Sequence, residues 1–465
     1  VWRQPPSKYS PARFIIEKVT RFNLQRFSTK IRGPEEEFED YSGGGREDGA
    51  TQPKETSMDQ NFDAIREKFL RHVGQTSPFP LQIGVARAEG CYIYDFAGRA
   101  WLDFIAGVTV TNVGHCHPAV VEAVAGQARL YAHTMVYGEH IQAPQVELAA
   151  ELARLAPAGL DCVYFLTTGA EANDAALKLA AKATGRSNFC AFRGAYHGDT
   201  VGAASCFGSE AFRQPYRQIL LPVRFLPYNS CEEIEAIDET MAGVIVEPGQ
   251  GEGGIVVPER EFLVALRERC TQVGALLIFD EVQTAFGRIG EWFAAHYFGV
   301  TPDVITVAKA LGAGYPLAGV IGPRDLLYRF AAEPPFSHIT TFGGHPVSCA
   351  AGLAGLRAMR DGHLLDNARE QGQFLRARLD ELRGRTSVIE EIRGVGLMLG
   401  IRFASPALAR RVVEQARQDG LLIETTLLDE RVVRMSPPLI VTRAQCAQAF
   451  DIFAGAVQMV AQQDA

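Results

Sequence analysis

Residues 275–284 read Ala-Leu-Leu-Ile-Phe-Asp-Glu-Val-Gln-Thr, and residues 304–316 read Val-Ile-Thr-Val-Ala-Lys-Ala-Leu-Gly-Ala-Gly-Tyr-Pro. Each begins as a short, unbroken apolar run and then meets a polar group, Asp280 in the first and Lys309 in the second. A third run, Gly243–Val246, ends at Glu247-Pro248. Runs of this kind, bounded by turn residues, read as strands buried on both faces. A lysine that closes such a strand before a Gly-rich turn is poorly explained as a solvated charge. Burial and nearby cations lower a lysine's pKa and free its amine for Schiff-base chemistry. Asp280 supplies the carboxylate that would keep a pyridine nitrogen protonated, so the strand ends together read as a pyridoxal phosphate (PLP) site.

Outward from this stretch, helices alternate with strands at Val163–Leu166, Phe189–Phe192, Gly243–Val246, Ala275–Phe279, Val304–Val307 and Gly319–Ile321. The alternation predicts an α/β fold with a mostly parallel sheet wrapped by helices. Upstream, a helix pattern runs from Asp59 to Val73, and Cys91–Phe96 with Ala100–Phe104 predicts a hairpin. After Ala350 come long amphipathic helices with strands at Met398–Phe403, Leu421–Glu424 and Val432–Met435, the texture of a smaller α+β domain. The division expected is a disordered tail or upstream extension over 1–57, an N-terminal segment of the small domain over 58–109, a large cofactor-binding domain over 110–350, and a C-terminal small domain over 351–465. The tail expectation rests on a basic block, the acidic run Glu35–Asp40 and the glycines 43–45.

With 47% apolar and 22% charged residues in 465, the composition is that of a globular protein with a large core. A net charge of −8 gives no basic footprint for nucleic acid or anionic membrane. Nine cysteines without a CxxC pair fit a reducing cytoplasm. In His115-Cys116-His117, neighbours in an extended segment point to opposite faces, so no metal site is expected.

Tyr164–Asn173 reads as strand, tight turn and helix, with Thr168 as N-cap and Gly169 allowing close approach to the backbone. Free N–H groups at a helix start favour an anion, although many capped helices share this pattern. The glycines of 249–254 do not open a helix directly. Ile255–Pro258 intervenes, with Pro258 the better helix start, which argues against a dinucleotide loop.

The chain resembles the class III (ω-amino-acid) aminotransferases, PLP-dependent transferases of fold type I. The resemblance rests on Gly90-Cys-Tyr-Ile-Tyr-Asp95, Trp101-Leu-Asp103, Gly114-His-Cys-His-Pro118, Thr168-Gly-Ala-Glu-Ala-Asn173, Tyr196-His-Gly198, Glu247-Pro-Gly-Gln-Gly-Glu-Gly-Gly254, Phe279-Asp-Glu-Val-Gln-Thr284, Ala308-Lys-Ala-Leu-Gly312, Thr341-Phe-Gly-Gly344 and Arg434-Met-Ser-Pro-Pro-Leu439. It implies a seven-stranded, mostly parallel sheet in the large domain. It also implies that Lys309 carries the cofactor and shuttles a proton, that Asp280 pairs with the ring nitrogen, and that Val282 and Tyr196 flank the ring. Gln283 would meet the phenolic oxygen, and the Gly169 and Ala170 N–H groups would hold the phosphate. Thr341 would reach the phosphate of a neighbouring protomer, making an obligate homodimer. Glu247 is expected to organise a strand end, and His197 to support its loop.

The resemblance further casts Glu252 and Arg434 as a gate, the arginine binding the acceptor's α-carboxylate and the glutamate neutralising it when an ω-amine enters. Many members place an arginine directly after Tyr-His-Gly, and here Asp199 stands instead. A carboxylate there repels a substrate carboxylate, unless Asp199 serves as a turn or helix cap. His345 likewise replaces a common asparagine. The expected reaction is transfer from an ornithine- or acetylornithine-like donor, 4-aminobutyrate, lysine or a diamine to 2-oxoglutarate or pyruvate by a ping-pong mechanism. A PLP-dependent aminomutase or decarboxylase is the alternative, and a catalytically silent homologue is disfavoured by the presence of Lys309 and Asp280.

Overall fold

The computed structural model describes residues 62–464. The charged run 1–57, and with it the tail expectation, lies outside the described residues. A helix spans Phe62–His72, followed by β1 (Val85–Glu89), β2 (Tyr92–Asp95) and β3 (Ala100–Asp103), an antiparallel meander.

The central sheet contains β4 (Cys162–Leu166), β5 (Asn188–Phe192), β6 (Val223–Leu226), β7 (Met241–Val246), β8 (Leu276–Asp280), β9 (Val304–Val307) and β10 (Ala318–Gly322), in the order β4-β10-β9-β8-β7-β5-β6. Neighbours from β6 through β9 pair in parallel, while β10 runs antiparallel to both β9 and β4. Every residue of β7, β9 and β10 is buried, which explains why these strands carry apolar runs without alternation. The helix Gly169–Thr184 lays an alanine-rich face (Ala172, Ala175, Ala176, Ala180) on the sheet. The helix Arg260–Val273 buries Phe262, Leu266, Cys270 and Val273, spaced at three and four residues, into the main core.

The C-terminal part forms a second antiparallel sheet of β11 (Ile389–Val395), β12 (Met398–Phe403), β14 (Glu424–Thr425) and β15 (Val432–Met435), in the order β11-β12-β15-β14. Its neighbour β13 (Leu421–Leu422) leaves that sheet and pairs in parallel with β3. The single strand expected over Leu421–Glu424 is therefore two short ones in different sheets. The edge strand β6, half exposed and weakly patterned, was not among the expected strands. The helix expected from Pro258 starts at Arg260. Among the described residues no helix is long and apolar enough to cross a membrane, and all nine cysteines are free.

Four parallel strands end on one side of the sheet. Beyond their carboxyl ends lie 196–199 (after β5), Glu247 (after β7), Asp280 (the last residue of β8) and Lys309 (after β9). This is where open α/β sheets bind ligands.

Candidate active site

A cleft of about 640 Å³ is bordered by the start of the helix Gly169–Thr184, by Tyr196–Thr200, and by Glu247, Asp280, Val282, Gln283 and Lys309. Thr168 caps the helix. Its Oγ1 accepts the Glu171 N–H at 3.2 Å, and the Glu171 carboxylate accepts the N–H groups of Thr167 and Thr168 at 3.0 Å. This reciprocal box fixes the first turn. Among the described residues, the N–H groups of Gly169 and Ala170 have no acceptor, which leaves two donors at the positive end of the helix dipole. Gly198 seals the same corner at φ +114°, where an added Cβ would lie 2.4 Å from Ala170 Cβ, so only glycine fits.

Asp280 is held by three donors. Its Oδ2 accepts from Asn173 Nδ2 at 2.8 Å and from His197 Nδ1 at 2.7 Å, and its Oδ1 accepts the Val282 N–H at 3.0 Å. Because an ionised carboxylate only accepts, Nδ1 is the protonated nitrogen of His197. Asn173 also donates to the His197 carbonyl at 2.7 Å and accepts from Thr306 Oγ1 at 2.7 Å. All four residues are buried. Such a network fixes the Asp280 carboxylate in the cleft wall. Glu247 accepts the N–H groups of Tyr196 (2.9 Å) and Gly251 (3.0 Å). Burial pushes its pKa up to about 7, with Asp280 adding to the rise and His197 opposing it.

Lys309 opens a 3₁₀ turn (Lys309–Gly312) rather than a plain loop, at φ +47°. A non-glycine residue in this left-handed region stores about 1–3 kcal/mol of strain, a hallmark of functional positions. Its Nζ donates to Gln283 Oε1 at 3.4 Å. Burial lowers the pKa of Lys309 and the charge of Arg434 lowers it further, against the opposing pull of Glu252, Asp280 and Glu247. Gln283 Nε2 and His197 Nε2 are buried without partners.

Tyr196 packs edge-on against Phe207 with ring centroids 5.2 Å apart, and its hydroxyl donates to Asp199 Oδ2 at 2.7 Å. Asp199 does not cap the following helix Val201–Ser205, whose N-cap Thr200 makes no side-chain cap bond. Glu252 and Arg434 meet at 2.5 Å (Oε1 to Nη1) and are both buried, so theirs is no surface ion pair. They do not border the main cleft, but both charges act on Lys309. Thr341 is exposed and does not border the cleft, its carbonyl accepting from His133 Nε2 at 2.8 Å. His345, which precedes the helix Pro346–Asp361, packs beside His133 with ring centroids 5.6 Å apart.

Asn173 and Thr306 were missed by the sequence reading. The signal for Asn173 was a lone amide in an otherwise alanine-rich helix face.

Residues 74–457 match the Aminotransferase class-III family. The chain belongs to the class III aminotransferases. Among similar proteins, an acetylornithine aminotransferase of Methanosarcina mazei is 38% identical over 400 residues, covering 85% of this chain and 97% of that one. Another, from Bacillus subtilis, is 39% identical over 370 residues, covering 79% and 93%. Among solved structures, an ornithine aminotransferase from Toxoplasma gondii aligns with TM-score 0.80 at 29% identity, covering 86% of this chain and 95% of that one. A transaminase from a marine Virgibacillus gives TM-score 0.81 at 26% identity, covering 86% and 100%. This class III aminotransferase is a PLP-dependent transaminase of fold type I. The cleft suits that cofactor: a lysine amine, a fixed carboxylate, two free amides at a helix start and the orphaned Gln283 Nε2 all border it.

Proposed function

We propose that the enzyme moves an amino group from an ornithine- or acetylornithine-like ω-amine donor to 2-oxoglutarate or pyruvate by a ping-pong mechanism. When bound, PLP supplies an electrophilic carbon for the donor nitrogen and a ring that accepts the electrons released on deprotonation. Lys309 would anchor it, and its Nζ would take and return the proton of the donor's amine-bearing carbon. Asp280, held in place by His197, Asn173 and the Val282 amide, would keep a proton on the ring nitrogen. Gly169 and Ala170 would bind the phosphate, Val282 and Tyr196 would confine the ring, and Gln283 Nε2 would donate to its phenolic oxygen.

The observation that carries this reading is the fixed Asp280 carboxylate in one cleft with the strained Lys309, whose pKa burial lowers. Arg434 would take the acceptor's α-carboxylate, which favours amine transfer over an aminomutase or a decarboxylase. Thr341, exposed and not part of its own cleft's lining, would complete the phosphate site of a second protomer in an obligate homodimer. Residues 58–109 and 351–465 would together form the small domain, a division supported by the β3–β13 pairing, and 110–350 the large one. The free cysteines suit a cytoplasmic enzyme.

Asp199 favours a second reading of the donor. It places a carboxylate in the cleft wall where a distal substrate carboxylate would meet repulsion of about 1 kcal/mol or more. Diamines, whose far ends are cationic or can be neutral, avoid that cost, while lysine carries the same distal carboxylate as ornithine. A donor panel of ornithine, N-acetylornithine, 4-aminobutyrate, lysine and diamines, run with each keto acid, tests both readings. Lys309→Ala should abolish transfer with all of them and remove the visible absorbance of the bound cofactor. An amino group that stays within one substrate, with no keto acid aminated, would overturn the transfer reading.

A further inference from the structure

Asp103, the last residue of β3, is buried and has no part in the chemistry described above. Its Oδ1 accepts the N–H groups of Ile105 at 2.8 Å and Ala106 at 2.9 Å, and its Oδ2 meets His115 Nε2 at 2.8 Å. The backbone that these bonds hold is strained. Ala106, Gly107, Val108 and Thr109 stand at φ +53°, +61°, +59° and +65°, four consecutive residues in the left-handed region. The Thr109 N–H donates to the Ile105 carbonyl at 3.1 Å and the Val110 N–H to the Ala106 carbonyl at 2.8 Å, closing the segment into a left-handed turn. For residues other than glycine that hand crowds Cβ against the following carbonyl, and the branched Cβ of Val108 and Thr109 adds to the crowding.

Such a segment persists only where its surroundings over-determine it. Asp103 grips its start. Its far end is anchored by the buried Asn112, whose Nδ2 donates to the Phe286 carbonyl at 2.9 Å and whose Oδ1 accepts from Arg288 Nη2. The Asn112 carbonyl also accepts the Leu439 N–H at 2.7 Å. Between these anchors the turn packs against the Lys309–Gly312 turn and delivers Val110 to the wall of the cleft. Two strained pieces of backbone thus meet beside the lysine, the 106–109 turn and Lys309 itself at φ +47°. Relaxing 106–109 would redirect the residues that follow, Val110 first.

We propose that Asp103 is a positioning residue of the transamination: it keeps 106–109 left-handed and so fixes Val110 as a wall against which the substrate is presented to Lys309. The inference rests on the reading of this cleft as the place where the amine is transferred. Asp103 does not border the cleft, and its effect passes through the turn.

The test uses the holoenzyme with Asp103→Ala, Asp103→Asn, Ala106→Gly, Val110→Ala and the double variant Asp103→Ala/Ala106→Gly. The readouts are kcat and KM for the fastest donor of the panel above, the cofactor absorbance kept after dialysis, and the urea midpoint. Asp103→Ala should lower kcat/KM about tenfold with the cofactor still bound, the scale of a misplaced reacting group. Asp103→Asn keeps an oxygen for the two N–H groups and should stay within about threefold of the parent. Glycine removes the left-handed penalty at the residue that Asp103 grips. Measured against Ala106→Gly alone, the Asp103→Ala loss should therefore shrink to about twofold. Val110→Ala should lower kcat/KM by itself, and Ala106→Gly should not recover it. A merely structural Asp103 would shift the urea midpoint and leave kcat/KM of the folded enzyme at the parental value, which overturns the proposal. A loss that glycine fails to recover, or a parental kcat/KM in Val110→Ala, overturns it too. Should Asp103→Ala fail to accumulate, His115→Phe removes one of the same bonds at a part-exposed ring. A fall of about threefold that Ala106→Gly recovers supports the proposal, and a parental value overturns it. Transfer that survives Lys309→Ala would instead defeat the reading of the cleft on which the proposal stands.

Discussion

Asn173→Asp is nearly isosteric, yet it reverses the logic of the Asp280 site. The amide Nδ2 that donates to Asp280 Oδ2 at 2.8 Å becomes a carboxylate oxygen at the same place. Two ionised carboxylates at that separation repel by about 6 kcal/mol even at an effective dielectric near 20. Retaining a proton on the pair costs less. For a carboxyl with an ordinary pKa near 3.9, the cost at pH 7 is about 4 kcal/mol. The variant should therefore be destabilised by roughly 4 kcal/mol at pH 7, easing by about 1.4 kcal/mol for each pH unit removed. The sign follows from the direction of the shift. The folded pair would titrate above its unfolded value, so the folded state holds a proton that the unfolded state has lost, and the deficit grows as pH rises above about 4. Urea unfolding of parent and variant at saturating cofactor, at pH 5, 6, 7 and 8, measures this directly. A deficit that stays flat with pH, or a variant as stable as the parent at pH 8, would refute the account of Asp280 as a fixed anion.

Glu247, raised by burial to about 7, should make the parent lose stability as pH climbs from about 5 through 7. Unfolding midpoints of Glu247→Gln relative to the parent should therefore improve between pH 5 and 8. Gly198→Ala would drive a methyl to 2.4 Å from Ala170 Cβ at a left-handed backbone position, costing about 2 kcal/mol or more. It should also weaken cofactor retention on dialysis, because it pushes on the turn that presents the Gly169 and Ala170 amides. Of the nine cysteines, Cys116 and Cys231 are exposed, while burial raises the thiol pKa of Cys91, Cys206, Cys270, Cys349 and Cys446 to about 12. Ellman's reagent should accordingly label two thiols quickly in the native protein, the part-exposed Cys162 more slowly, and the six buried ones only on unfolding.

The central sheet was legible because strands buried on both faces leave unbroken apolar runs, and the polar groups that end those runs have nowhere to go but the cleft. Thr168 was legible as a cap because Ser or Thr before an alanine-rich helix has few other uses. What escaped notice was whatever depends on register rather than on pattern. Glu424 sits in a two-residue strand without periodicity, and only its register opposite Arg434 brings the two side chains together. Asp199 could be seen as a departure, but its bond to the Tyr196 hydroxyl could not, since the sequence does not say which way a loop carboxylate turns. The edge strand β6 was invisible for the opposite reason: half exposed, it carries too weak a pattern to separate from loop.

The pairing of β3 with β13 bears on how the protein is made. Leu102 and Asp103 lie beside Leu421 and Leu422, so this segment of the nascent chain waits for one made about 320 residues later. During that interval one edge of β3 lacks its neighbour, and Trp101, Leu102 and Phe104, buried in the finished enzyme, stay open to water. A premature stop or a proteolytic cut before Leu421 would strip a sheet of its closing strand, a far heavier loss than that of a surface tail.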